Sequence, residues 1–299
     1  MNILLIKAFF LIAAPCCGGG GNLPGLILGN ERLQLGMSGS YSTIVGDVAS
    51  DGHKTLRSNG DVEDSYLISL STGFLLSDRW QAGASVSSGY RVLDRTTVVN
   101  SGAGWGDVRA HVGYEIMPLW TYSVWRPKGF IFAHVTVPTG KSTFDSTEAG
   151  AVDSFGQGFW SSGLGFVAVK TWRVLDASFL GQLQYSFPRQ FREPREISVA
   201  PGFQAAAQLG FGWSPGASSF RMGARVGPAW RQGGESVLYG EASTGVDRLV
   251  WDATIEANWM IGSAVSLSAF LTDQSLLGPS NNTMLSRSGG LSVQYRSLR

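Results

Sequence analysis

The sequence predicts an all-β protein, a transmembrane antiparallel up-and-down β-barrel of about twelve strands. Three observations lead there. Segment after segment alternates apolar side chains with small or polar ones, the period of two that marks a strand. The segments run to roughly ten residues, the length a tilted strand needs to cross hydrocarbon and longer than the usual five or six of soluble sheets. Charged residues make up only 15 % of the 299 residues, whereas Gly (40), Trp (10), Tyr (8) and Phe (16) are plentiful.

In chain order, the first segment sets Leu33, Leu35, Met37 and Tyr41 against Gln34, Ser38, Ser40 and Ser42. The second sets Tyr66, Ile68, Leu70, Phe74 and Leu76 against Ser65, Ser69, Ser71 and Gly73, and the third Trp80, Ala82, Ala84, Val86 and Tyr90 against Gln81, Gly83, Ser85, Ser87 and Arg91. In the fourth, Val108, Ala110, Val112, Tyr114 and Ile116 oppose Asp107, Arg109, His111, Gly113 and Glu115. The fifth, residues 130–137, is apolar on both faces, which leaves its orientation open. The sixth turns Trp160, Leu164, Phe166 and Ala168 outward. The seventh sets Leu175, Ala177, Phe179, Leu183 and Tyr185 against Asp176, Ser178, Gln182 and Gln184. The eighth reads Val199, Phe203, Ala205, Ala207, Leu209 and Phe211 against Gln204 and Gln208. The ninth places Met222, Ala224, Val226 and Trp230 opposite Arg221, Arg225 and Arg231. The tenth places Leu249, Trp251, Ala253, Ile255, Ala257 and Trp259 opposite Asp252, Thr254, Glu256 and Asn258. Residues 265–271 and 289–295 close the series.

A soluble sandwich also alternates, but its outward face should be the charged one. Here the polar face is mostly Ser, Gly, Gln and Asn with scattered charges, and the other carries Trp, Tyr, Phe and Leu. That polarity suits an apolar wall around a polar lumen. Connections alternate too: long gaps at 44–63, 139–154, 232–246 and 273–285 take turns with tight ones at Ser77-Asp78-Arg79, Thr171 and Gly262-Ser263. Outer-membrane barrels show this asymmetry, with short periplasmic turns and long external loops. Residues 118–128, with Trp120 and Trp125, are long where a short turn is due, and read as an interfacial segment or a small helix.

At the N-terminus an apolar run of about twelve residues suits the core of a signal peptide rather than a membrane helix. The expected division is a signal peptide over 1–21, a periplasmic or plug segment over 22–31, and the barrel over 32–299. Cys16 and Cys17, the only cysteines, make lipidation an option, although Pro15 stands where a small residue is expected. Beyond them there is no thiol for a disulfide or a metal site. A net charge of +1 gives no reason to expect a nucleic-acid partner. The partners expected are membrane lipids and a small-molecule solute, with a monomer favoured and no cofactor or metal.

The middle of the chain resembles the MetA-pathway phenol-degradation family of outer-membrane transporters. The matching residues are Gly106-Asp107-Val108 opening a strand that ends in Tyr114-Glu115-Ile116, then Val135-Thr136-Val137-Pro138-Thr139-Gly140-Lys141. Gly156-Gln157-Gly158, Gly163-Leu164-Gly165 with Lys170, and Leu183-Gln184-Tyr185-Ser186 follow. The resemblance implies a twelve-stranded outer-membrane barrel connected with uptake of aromatic or other hydrophobic compounds. It departs at the end, where members commonly finish on an aromatic residue and this chain runs on past Tyr295.

Catalytic readings find little support. Pro138-Thr139-Gly140-Lys141-Ser142 looks like the tail of a phosphate-binding loop, but Val135 stands where the earlier glycine belongs. There is no G-x-S-x-G elbow, and His53, His111 and His134 lack metal-ligand spacing. A lipid-modifying enzyme would use His111 with a serine on the same face. A third reading is a structural or surface-interaction barrel whose external loops do the work. The more useful constellation is the set of charges on the polar face: Arg91, Asp107, Arg109, His111, Glu115, Arg221, Arg225, Asp252 and Glu256. If the third and fourth segments pair across a 94–104 loop, Arg91 falls opposite Asp107. Likewise Arg221 and Arg225 approach Asp252 and Glu256. These groups either brace the lumen or line a selective path through it, and twelve strands leave a narrow one.

Overall fold

In the computed structural model, residues 25–29, 31–57, 61–95, 98–118, 123–194, 196–216 and 219–298 are described. The expected signal peptide, Cys16 and Cys17 lie outside them. The strands are β1 (Glu31–Val48), β2 (Lys54–Leu56), β3 (Val62–Leu75), β4 (Trp80–Arg95), β5 (Val98–Trp105), β6 (Val108–Met117) and β7 (Lys128–Val137). There follow β8 (Ser161–Trp172), β9 (Leu175–Ser186), β10 (Arg189–Phe191), β11 (Ile197–Ala200), β12 (Gly202–Trp213) and β13 (Phe220–Arg231). The series ends with β14 (Glu235–Leu238), β15 (Glu241–Thr244), β16 (Arg248–Ile261), β17 (Val265–Asp273) and β18 (Thr283–Leu298).

Twelve of these, β1, β3, β4, β6, β7, β8, β9, β12, β13, β16, β17 and β18, pair antiparallel in chain order. The pairing of β1 with β18, from Glu31↔Leu298 to Val48↔Thr283, closes the ring. The result is a transmembrane up-and-down barrel. Among the described residues no helix is long and apolar enough to cross a membrane. Closure leaves no sheet edge at membrane depth, the condition for strands to cross hydrocarbon.

Inside-out polarity follows the alternation. Met37, Ile68, Leu70, Leu164, Leu209, Phe211, Ile255 and Leu291 are exposed on the outer face, while Gln81, His111, Arg221, Glu256 and Asn258 are buried inside. An apolar exterior of this extent needs a hydrocarbon solvent. Aromatic rings gather at two levels. Near the long loops Tyr41, Tyr66 and Tyr90 stand in one cross-strand row, with centroids 5.3 and 6.4 Å apart. Near the short turns Trp80 packs against Tyr114, with centroids 4.8 Å apart and the rings tilted.

The structure corrects several expected boundaries. The 94–104 stretch is not a loop: β5 pairs with the upper half of β4, and Arg91 lies opposite Gly102, not Asp107. Asn100-Ser101-Gly102-Ala103-Gly104 has low strand propensity, so it reads as a loop although it extends the wall. β5 and β6 are two halves of one strand interrupted at Gly106-Asp107, where the Gly106 amide still bonds the Ser87 carbonyl. The eighth segment is split by Pro201, and Val199 belongs to a separate sheet in the order β10-β11-β14-β15, built from long connections. The 44–63 gap is partly strand, since β1 runs on to Val48 and pairs with β2. The turn expected at Thr171 falls at Arg173-Val174.

Of residues 118–128, positions 119–122 lie outside the described residues, and the rest contain no helix. The carbonyls of Ser123 and Arg126 accept from the Lys170 ammonium, and Val124 from the Trp172 indole. Lys170 and Trp172 share the outward parity of Phe166 and Ala168, so this segment lies on the outer wall at the short-turn end.

Leu70 points into the apolar belt and Ser69 beside it points inward. Leu70→Arg should therefore destabilise the refolded barrel in vesicles by up to about 2–4 kcal/mol. Ser69→Arg should cost less, as read from denaturant midpoints.

Candidate functional site

The lumen wall has two adjoining arcs. The ionic arc spans β9, β12, β13 and β16 near the short turns. Arg221 donates to both carboxylate oxygens of Asp176, at 2.7 and 2.6 Å, and to Glu256 Oε1 at 2.5 Å. Arg225 Nε lies 3.0 Å from Glu256 Oε2, an ion pair whose angle falls outside hydrogen-bond geometry. Asp176 and Arg221 are two strands apart. The guanidinium bridges them because it lies over Gly212 of β12, where a Cβ would stand 2.2 Å from Arg221 Nη2. Two cations and two carboxylates thus neutralise one another out of water, the only way such charges are held at modest cost.

Asp252 is not part of this group. Arg225 is in register with Thr254, between Asp252 and Glu256, and pairs with Glu256, while Asp252 accepts from Gln274 Nε2 at 2.8 Å. Asp176, which sequence reasoning placed on the polar face without a role, supplies the missing carboxylate. Only the registers of β9, β12 and β13 taken together reveal it.

The apolar arc lies on β7, β8 and β9. Phe130, Phe132, Val167, Val169 and Leu180 are buried there in one cluster with Leu26, and Leu28 packs against it. All five wall residues have inward parity. The apolar character of both faces of residues 130–137 was the visible signal for it. Leu26 and Ile27 are only 4 % and 2 % exposed, because residues 25–29 lie inside the barrel. Ile27 N donates to Gln81 Oε1 at 2.6 Å, and Lys128 Nζ to the Leu28 carbonyl at 2.9 Å. At the closing seam behind the segment, Arg296 Nη1 meets Glu31 Oε1 at 3.3 Å.

Arg109 and His111 stand between these arcs and the long loops, whereas Glu115 lies level with Phe130 at the short-turn end. Arg109 Nε bonds Thr136 Oγ1 at 3.4 Å, and Glu115 lies 3.6 Å from Lys128 Nζ. His111 is in register with His134, which bonds Gln184 at 3.0 Å. The His111 ring bonds the Gly25 backbone, its Nε2 has no partner among the described residues, and none of the contacts seen there couples it to a serine. The structure therefore does not assemble a serine–histidine pair there. No group of His, Cys, Asp and Glu able to hold a metal occurs among the described residues.

At the loop end, residues 138–160 fold onto the inner face of β4 and β5. Val152 and Phe155 occupy the space that side chains at Gly102 and Gly89 would fill. Arg91 donates to the Ala151 carbonyl at 3.4 Å and stacks over Phe155, 5.2 Å from its centroid. Asp107 does not meet Arg91. Its two oxygens accept the Gly140 and Gln157 amides at 3.0 and 2.6 Å, tying both ends of the loop to the break between β5 and β6. Lys141 and Ser142, the apparent phosphate-loop tail, also serve this fold: Lys141 pairs with Asp153, and Ser142 Oγ bonds Asp145. Phe144 and Phe159 pack on Phe191 of β10, at 5.2 and 5.4 Å. The loop thus folds in at the mouth, held by polar clamps and a buried aromatic cluster.

These features define a closed membrane barrel with an internally neutralised ionic arc and an apolar arc. In fold the chain is similar to an outer membrane channel from Pseudomonas putida F1, with a TM-score of 0.75 and 15 % identity over 92 % of this chain and 100 % of that one. Two looser likenesses are the transport unit of the autotransporter AIDA-I from Escherichia coli (TM-score 0.43, 12 % identity, 91 % and 93 % covered) and the TodX monoaromatic hydrocarbon channel (0.42, 10 %, 90 % and 90 %). Those two are too loose to argue from. Neither a protein-family description nor a curated protein matches the chain in sequence.

Arg221→Ala would leave Asp176 and Glu256 buried against a single remaining cation. It should destabilise the barrel by about 3–5 kcal/mol, measured by denaturant unfolding in vesicles. In the loop, burial alone would raise the Asp153 pKa, but the Lys141 ammonium and the Ser146 hydroxyl outweigh it and hold it below the usual carboxylate range. Its hold on the loop is therefore complete above about pH 4 and is lost as pH falls through the lowered value. Asp153→Asn should make the loop as sensitive to protease at pH 7 as the wild type becomes only in acid.

Proposed function

We propose that this protein is a monomeric outer-membrane channel of a Gram-negative bacterium, delivered by an N-terminal signal peptide, that passes small hydrophobic and aromatic solutes without catalysis. The observation that carries the reading is the apolar arc. A channel for polar solutes gains nothing from Phe130, Phe132, Val167, Val169 and Leu180 on its inner wall, because water there has to be organised against them. An apolar solute gains from them what a core side chain gains. The likeness in fold to an outer membrane channel supports transport over enzymatic work, and the resemblance of residues 105–187 to the phenol-degradation family supports an aromatic cargo. The long loops, including the β10-β11-β14-β15 sheet, then face the exterior and the short turns the periplasm.

Liposome uptake by the refolded protein tests this directly. Toluene or phenol should enter faster than a sugar of similar size. Phe132→Asp should lower aromatic uptake by about tenfold or more, since the burial of one large apolar group is worth about 1.5–3 kcal/mol, and should leave sugar leakage unchanged. A protein that passes no solute in swelling assays and in single-channel recordings is not a channel.

A further inference from the structure

The segment 25–29 is seated on the apolar arc, and the wall is shaped to receive it. Where it crosses β3, a Cβ on Gly73 would stand 2.5 Å from the Gly25 carbonyl oxygen. Where it crosses β6, a Cβ on Gly113 would stand 2.9 Å from Leu26 Cδ2. Both positions have inward parity, where Ser71 and His111 two residues earlier on the same strands carry side chains; Gly83, opposite Gly73, makes room for His111 instead. The bareness of Gly73 and Gly113 opens a groove from the seam to the Phe130–Phe132 surface, and Leu26 lies at its end.

The segment forms no strand with the wall. Its polar attachments at this depth come from side chains of the wall, Gln81, Lys128 and, at the Gly25 backbone, His111. Its main hold is the burial of Leu26 on the same five side chains that would receive an apolar solute. Hydrophobic burial is non-directional, so a ligand of matching bulk gains the same free energy there.

We infer that residues 25–29 are an internal stopper that occupies the channel's own hydrophobic binding site, and that an apolar ligand of roughly aromatic-ring size opens the lumen by displacing Leu26. This rests on the proposed hydrophobic cargo but is tested separately from it. The neutralised ionic arc offers a passing apolar molecule no free charge, so competition is confined to the apolar arc. A sugar or an ion has nothing to gain at Leu26 and leaves the stopper seated.

Cysteine accessibility reads the seat without reference to transport. In a Cys16→Ser, Cys17→Ser background, Ile27→Cys in lipid nanodiscs should react slowly with a charged maleimide, since Ile27 is buried. Toluene should accelerate that reaction several-fold and glucose should not. Adding Leu26→Asp should accelerate it without toluene and raise single-channel conductance. If Gly113→Leu folds, it should do the same by filling the groove, and Leu26→Asp carries the test if it does not. The lipid-facing control Leu164→Cys should be unaffected by toluene. Rapid labelling of Ile27→Cys before any ligand, indifference to toluene, or equal acceleration of the Leu164→Cys control would each overturn the stopper. Toluene-dependent labelling in a protein that passes no toluene would sustain the stopper and defeat the channel.

Discussion

Every backbone amide and carbonyl that lies in hydrocarbon must find a partner within the protein, and for strands this demands a closed ring. The rest of the structure depends on that closure. It makes β1 meet β18 over their whole lengths and puts the buried Glu31–Arg296 pair at the seam. It fixes which parity faces lipid, so that Leu70 and Leu291 are outside while Gln81 and Arg221 are inside. It also curves the wall enough for Arg221 to reach across β12 to Asp176, a contact between residues that share no pairing.

The wall was legible in the sequence because period-two alternation is a local property that each strand states for itself. Twelve strands, their polarity and most turns follow from it. What escaped was whatever depends on two or more strands at once. Asp176 sits in plain view on the polar face, but its role needs the relative registers of three strands. Arg91 and Asp107 were paired on the assumption that residues 94–104 form a loop. The weak strand formers there hide eight residues of wall, which lift Arg91 away from Asp107. The apolar arc escaped for the opposite reason. Residues 130–137 announced themselves as apolar on both faces, but periodicity alone cannot say that the second face looks onto Leu26.

The polar-face charges separate into three kinds of work once placed. Asp107 and Arg91 act on the backbone and rings of the in-folded loop and so shape the mouth. Arg221, Arg225, Asp176 and Glu256 satisfy one another and brace the wall near the short turns. Arg109 and His111 lie between, and Glu115 stands beside Lys128 and the apolar arc at the short-turn end. Bracing therefore accounts for most of the charge inside the barrel, and little of it is free to select a charged solute.

That division bears on what such a barrel can discriminate. A lumen whose charges are mutually neutralised presents a passing ion with fixed, already satisfied dipoles, and stripping the ion's water is not repaid. The same lumen presents an apolar molecule with a continuous contact surface on β7, β8 and β9. Selectivity in such a channel comes from the absence of free polar partners, not from an added recognition group. On the proposed function, the neutral ionic arc would be as much a part of selectivity for apolar solutes as the phenylalanines. An unpaired arginine at the position of Arg221 would give water and anions a foothold on the path, and would weaken the discrimination even with the apolar arc untouched.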